Sequence, residues 1–232
     1  PNICTVYEIN ETPDRLFFVM QFVEGQTLKK TINNKPMPVE QVIEISLQLA
    51  DALAEAHSHG VIHRDIKSSN IMFTAEGEPV LTDFGIAKIL SEVAHLSATG
   101  SVMGSPAYMA PEQAMGQPVD ARSDLYALGI VLYEMVSGRV PFQADSPTAV
   151  MMQHISQPPP PPRQFNPQLP PAAEAVIQKA LAKDPAARFN RVSELAAAFQ
   201  AAVTSSEITL VNALFVRDPA ATMVSGEPTA HA

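Results

Sequence analysis

Between Ser123 and Ser137 the chain reads SDLYALGIVLYEMVS, a stretch of helical length with apolar residues on nearly every side. A helix that is hydrophobic all the way round is stable only when other elements enclose it. The rest of the chain is therefore expected to wrap around this segment. Its longest apolar run, Leu125 to Tyr133, stops at Glu134 and falls well short of the roughly 20 residues that cross a bilayer, so protein rather than lipid should do the enclosing. With 232 residues, 46% of them hydrophobic, the chain has the material for one sizeable core.

The remaining periodicities supply the enclosing elements. Thr5 to Ile9 and Leu16 to Val23 are rich in β-branched and aromatic residues and flank the turn formers Asn10 to Asp14, which predicts an antiparallel hairpin. Val42, Ile45, Leu49, Leu53 and Ala56 recur at helical spacing, so a core-facing helix is expected from Pro38 to Gly60. Two short apolar triplets, Ile71 to Phe73 and Val80 to Thr82, suggest a second small hairpin. Shorter helices are expected near 147–155, 171–183 and 191–203. The five prolines from Pro158 to Pro162 read as a stiff connection between the first two of these, or as a polyproline ligand. From Thr204 onward small and polar residues rise, which predicts a tail or linker. Few strands early and many helices later make this an α+β chain, a small sheet-bearing lobe on a mostly helical one.

Bulk charge excludes some functions. Fifteen basic against twenty-four acidic residues give a net charge of -9, which offers no general attraction to nucleic acid. The single cysteine, Cys4, cannot close an internal disulfide and is consistent with a reducing, cytoplasmic location. His57, His59 and His63 lie close together but lack a fourth ligand in register for a metal.

The chemistry is concentrated around the second hairpin. His63-Arg64-Asp65-Ile66-Lys67-Ser68-Ser69-Asn70 precedes it and Asp83-Phe84-Gly85 follows it. If the two triplets pair, Asn70 and Asp83 sit at adjacent strand ends, separated by about 4.8 Å. An amide oxygen and a carboxylate suit magnesium, which takes one or two protein ligands and fills its shell with water and phosphate oxygens. Asp65 could then accept the proton of an attacking hydroxyl, with Lys67 bringing a positive charge to the phosphoryl group in transfer.

This stretch closely resembles the catalytic loop and magnesium motif of protein kinases, and the order and spacing of the later motifs agree. The resemblance runs from Pro1 to about Val203 and is greatest to bacterial receptor-type serine/threonine kinases. It implies a two-lobed fold divided into residues 1–23, a remnant of the small lobe and hinge, 24–203, the helical lobe, and 204–232, a flexible tail. It implies Asp65, Lys67, Asn70 and Asp83 as catalytic residues, Asn70 and Asp83 holding Mg2+, and ATP as phosphoryl donor. Met20, Gln21, Val23 and Met72 would frame the adenine. Lys67, two residues after the aspartate, looks like the serine/threonine branch and implies protein substrates with Ser or Thr acceptors. By the same resemblance Glu112 of Ala110-Pro111-Glu112 pairs with Arg188, Asp124 holds the catalytic loop, and His63 packs under Phe84.

Arg64, beside the catalytic aspartate, needs an anionic partner, and the segment from Ile89 to Gly104 supplies hydroxyls but one acidic residue, Glu92. Thr99 is the expected regulatory phosphosite, with Ser97 and Ser101 as lesser candidates. A homodimer in which one copy modifies the other is a natural partner, as is attachment to the cytoplasmic side of a membrane. The chain departs from the kinase pattern at its beginning, where no glycine-rich loop, anchoring lysine or partner glutamate precedes Ile3. The expectation is a piece of a longer protein, inactive by itself. The competing readings are a pseudokinase docking scaffold and a small-molecule phosphotransferase. The segment from Gly104 to Glu112 speaks for protein substrates.

Overall fold

A computed structural model describes residues 1–12, 15–84 and 105–215. At its centre stands the all-round apolar segment. This helix, which we label α4 (Ala121–Ser137), buries every residue from Ser123 to Ser137. Asp120 caps its start by accepting the Arg122 N–H, and Gly138 ends it in the left-handed region at φ 77°. Glycine is required there for a second reason, since a Cβ would stand 2.8 Å from the backbone of Lys35. Halfway along, Gly129 lets a later helix approach closely: a Cβ would meet that of Ala180 at 3.0 Å.

Around α4 stand the other helices: α1 (Leu28–Ile32), α2 (Val39–Ser58), α3 (Pro111–Ala114), α5 (Pro147–Ser156), α6 (Pro171–Ala180) and α7 (Val192–Phe215). The expected stripe of Val42, Ile45, Leu49, Leu53 and Ala56 is the buried face of α2, which packs on α4 and α7. Burial of these side chains supplies the main driving force, on the order of 1.5 to 3 kcal/mol for each large aliphatic one. The proline run joins α5 to α6, with Pro162 buried and the Arg163 Nε donating to the Leu169 carbonyl, so it is tied into the domain.

Two antiparallel hairpins complete the architecture. β1 (Val6–Thr12) pairs with β2 (Arg15–Met20) through a register that includes Ile9 opposite Phe18, with a bulge between Val6 and Glu8. β3 (Ile71–Phe73) pairs with β4 (Pro79–Leu81), Ile71 opposite Leu81. Both outer edges of the second hairpin are covered: Ile3 bridges to Leu81 and Thr27 to Met72. That covering draws the start of the chain and the segment after β2 against the second hairpin.

Several boundaries differ from the sequence expectation. β2 stops at Met20 rather than Val23: the Gln21 N–H still reaches the Thr5 carbonyl at 2.8 Å, but among the described residues Phe22 and Val23 make no further backbone bond to β1. β1 runs on to Thr12, since Asn10 and Glu11 pair across to Phe17 and Leu16 instead of forming the turn. α6 ends at Ala180, ahead of the Asp184-Pro185 step that a helix tolerates poorly. α7 continues to Phe215 past the expected end at 203: Thr204 to Ser206 are polar but contain neither proline nor glycine.

Burial also fixes two histidines in the neutral form. His63 is fully buried and its pKa is lowered by desolvation; His154, likewise buried, is pushed down to about 4 by desolvation and by nearby Lys183. The folded protein then binds fewer protons than the unfolded chain below the ordinary histidine pKa of about 6.5, so stability is complete above that pH and falls as pH drops beneath it. The thermal midpoint is expected to fall by several degrees between pH 7.5 and pH 5, before most carboxylates titrate. A flat profile over this range would contradict the assignment.

Candidate active site

The site is built on the loop between α2 and β3, and the buried start of α4 holds that loop. Asp124, 1% exposed, accepts the backbone N–H of His63 at 2.8 Å and of Arg64 at 2.9 Å. His57 at the end of α2 approaches the same carboxylate at 2.8 Å through Nε2. Gln113 of α3 donates from Nε2 to the Arg64 carbonyl at 3.0 Å. Two of these bonds, at its N–H and at its carbonyl, hold Arg64 itself at a φ of +71°, a conformation that an arginine adopts only when its surroundings impose it. His63 packs against Phe84 with ring centroids 4.5 Å apart and the ring planes tilted by 54°. Its Nε2 lies 2.9 Å from the Thr82 carbonyl, which assigns the proton to that nitrogen, and its Nδ1 accepts the Asp65 N–H at 3.3 Å.

This scaffold presents Asp65 with two partners. Lys67 donates from Nζ to Asp65 Oδ2 at 2.6 Å, and the Asn70 amide donates from Nδ2 to the same oxygen at 3.1 Å and to the Asp65 carbonyl at 3.0 Å. Asn70 therefore uses its nitrogen on Asp65 and keeps its oxygen, the atom a hard cation prefers, for another partner. Across the hairpin, the Asn70 carbonyl accepts both the N–H of Thr82 at 2.8 Å and its hydroxyl at 3.1 Å. Asp83 is the next residue, turned by a φ of +66°. Asp65, Lys67 and Asn70 are in direct contact, and Asp83 lies two residues past Leu81, the end of β4, one residue further from the strand end than expected. Among the described residues no group of three or more His, Cys, Asp and Glu could hold a metal.

Beside the hairpin, Met20, Val23 and Met72 gather with Cys4 and Val80 into a small apolar cluster separate from the main core. Gln21 is tied to the start of the chain: its N–H and its side-chain Oε1 both engage Thr5, and its carbonyl receives the Cys4 thiol at 3.5 Å. Among the described residues the Val23 backbone makes no such bond. Burial, chiefly, raises the Cys4 thiol above the ordinary range, as does the Asp83 charge, so it is protonated at neutral pH.

On the opposite side, Arg188 grips Glu112 with two parallel bonds of 2.8 Å, both side chains being nearly free of solvent. Ser123 adds a 2.6 Å bond to the same carboxylate. Burial works to raise the Glu112 pKa, but the donors from Arg188 and Ser123 outweigh it and hold the group low. This pair joins α3 to the turn before α7.

The residue-by-residue sequence reading missed a third buried carboxylate besides Asp124 and Glu112. Glu134, 0% exposed, accepts from Lys29 Nζ at 2.6 Å and from the Tyr108 hydroxyl at 2.6 Å, and that hydroxyl lies 2.9 Å from Ser68 of the loop between α2 and β3. Tyr108 is accordingly held protonated, by burial first and then by the Glu134 charge. The signal was present: a glutamate interrupting a helix with no exposed face must be paired. Ser97, Thr99 and Ser101 lie outside the described residues. Arg64, their expected partner, has a buried Nε with no hydrogen bond among the described residues.

The protein kinase domain family matches residues 1–201. A probable serine/threonine-protein kinase of Clostridium perfringens is 46% identical over 198 residues, which are 84% of this chain and 28% of that protein. The serine/threonine-protein kinases PrkC of Bacillus subtilis and PknB of Mycobacterium leprae are 39% and 41% identical over 90% and 85% of the chain. The chain spans 32% of the length of each of these two. With a match from residue 1 to residue 201, this chain belongs to the protein kinase domain family.

Proposed function

We propose that the chain carries the phosphoryl-transfer half of a serine/threonine protein kinase that moves the γ-phosphate of ATP to Ser or Thr hydroxyls of proteins. The observation behind this reading is the shared Asp65 carboxylate: one oxygen meets both Lys67 and Asn70, and Asn70 is bonded across the hairpin to the residue before Asp83. In this role Asp65 accepts the proton of the acceptor hydroxyl, and Lys67 offsets charge on the group in flight. Asn70 and Asp83 hold Mg2+, which when bound neutralises phosphate charge. Met20, Val23 and Met72 take the adenine against an apolar wall, with the backbone from Gln21 to Val23 as its hydrogen-bonding edge.

On the same reading, residues 1–23 serve the nucleotide, 24–203 carry the catalysis and 204–232 connect. Among the described residues no helix is long and apolar enough to cross a membrane; a cytoplasmic site of action remains part of the proposal. Incubating the intact kinase with γ-labelled ATP, Mg2+ and a protein carrying Ser and Thr is expected to yield phosphoserine and phosphothreonine. Label appearing in a small-molecule acceptor instead would overturn the assignment.

Regulation follows from Arg64. A phosphate on Thr99 would give its guanidinium, whose Nε is buried and unbonded among the described residues, an anionic partner beside the catalytic aspartate, and Ser97 and Ser101 stand close by in sequence. A second copy of the kinase is the natural donor of that phosphate. Thr99→Ala is expected to lower turnover of the intact kinase by at least about tenfold, as loss of an ordering charge-assisted contact does. Turnover equal to that of the parent would remove Thr99 from this role.

A further inference from the structure

Neighbouring residues of β3 serve two different hollows. Met72 packs on the cluster of Cys4, Val23 and Val80, while Phe73 lines a groove of about 510 Å3 between α1, the start of α2 and the turn joining β3 to β4. Side chains that alternate along a strand face opposite ways, so the groove lies behind the proposed adenine wall. Its floor is apolar: Met37 and Ile45 are 9% and 6% exposed, and the Phe73 ring is half-buried. One wall is fixed by Gly25, whose backbone lies so close to the strand that a Cβ would stand 1.8 Å from the Phe73 carbonyl oxygen.

The rim is polar, and much of it is uncommitted. The Thr31 hydroxyl is bonded to the Thr27 carbonyl, and the Thr74 hydroxyl accepts the Glu78 N–H. Gln26, Gln41 and Glu44 complete the rim, and their side chains make no hydrogen bond or ion pair among the described residues. Glu44 is the one charged group among the lining residues. A volume in the range of about 300 to 1,000 Å3, an apolar floor and a few unpaired polar groups are the features of a small-ligand site. Here the charge selects the ligand: a single carboxylate with two neutral amides, on a protein of net charge -9, favours a cation.

We propose that this groove binds a small amphiphilic cation, a protonated amine on a flat apolar body. The body would rest on Met37, Ile45 and Phe73, and the ammonium would reach Glu44 with Gln26 or Gln41 as neutral acceptors. This site stands independently of the phosphotransfer reading, since it requires no nucleotide.

The test compares two probes of nearly equal shape, 1-naphthylmethylammonium and neutral 1-naphthylmethanol, titrated into the purified protein with the methyl resonances of Met37 and Ile45 observed. Both should shift those methyls saturably, and the ammonium should bind about threefold to fivefold tighter at low salt, the preference that a solvent-exposed ion pair supports. Glu44→Gln, a surface change, should erase the preference while leaving the alcohol's affinity as it was. Gln41→Phe, which crowds the groove from the exposed face of α2, should weaken both probes. The proposal fails if neither probe gives a saturable shift, if the two bind equally, or if the ammonium preference survives Glu44→Gln.

Discussion

Asp65→Asn is expected to lower phosphoryl transfer by the intact kinase about 100-fold to 10,000-fold, the range spanned by removing a positioned general base. The substitution is nearly isosteric, and it leaves the backbone bond from Asn70 Nδ2 to the Asp65 carbonyl in place. Folding should therefore be little changed, and the Michaelis constant for ATP should move far less than turnover, because the proposed adenine wall is formed by Met20, Val23 and Met72. Lys67 loses its anionic partner, so part of the loss will reflect a displaced cation rather than a missing base. Lys67→Met in the intact carboxylate background separates the two contributions. Turnover of Asp65→Asn within tenfold of the parent would remove Asp65 from the proton-accepting role.

The largest effect on stability is expected at the pair between Glu112 and Arg188. Removing one partner of a buried ion pair leaves the other charge uncompensated and costs about 3 to 5 kcal/mol. Arg188→Met should stand at the upper end, because the guanidinium also donates to the carbonyls of Ala182, Arg122 and Lys183 and lies 4.8 Å from the centre of the Tyr126 ring. Glu112→Gln should cost less, since an amide oxygen still accepts from one guanidinium nitrogen. Replacing both residues with apolar ones should be milder than the sum of the single changes, the usual outcome when two charges are removed together. Urea unfolding of the singles and the double measures all three. Single-variant losses below about 1 kcal/mol would mean that the pair contributes little to the fold.

Much of this arrangement was legible before any coordinates. The segment from Ser123 to Ser137 announced the centre of the fold, because its apolar residues could be satisfied in one way only. The stripe on α2 followed from spacing alone, and so did the second hairpin, although its second strand is Pro79–Leu81 rather than Val80–Thr82, which sets Thr82 and not Asp83 opposite Asn70. Beyond the pair of Glu112 with Arg188 and the hold of Asp124 on the loop, which the kinase resemblance implied, what escaped the sequence was contact between distant polar groups. Nothing local indicates that Lys29 of α1 reaches Glu134 of α4, or that Gln113 holds the Arg64 carbonyl; each depends on two helices arriving at one place. The glutamate itself was a clue, since burial forces it to find partners without naming them. The end of α7 was misplaced for a different reason: Thr204 to Ser206 lower helix propensity only slightly, and propensity yields to a continuing apolar pattern. Segment 85–104 lies outside the described residues, so the expectations for Ser97, Thr99 and Ser101 rest on Arg64 alone.

The most direct test is to locate the cation. Crystals of the intact kinase grown with Mn2+ and a non-hydrolysable ATP analogue allow anomalous scattering to place the metal without ambiguity. The account predicts an ion bound by Asn70 Oδ1 and an Asp83 carboxylate oxygen at about 2.1 to 2.3 Å, with Asp65 beside it but not bound to it. An ion that ignores either Asn70 or Asp83, or an Asp65 side chain turned away from the phosphates, would contradict it.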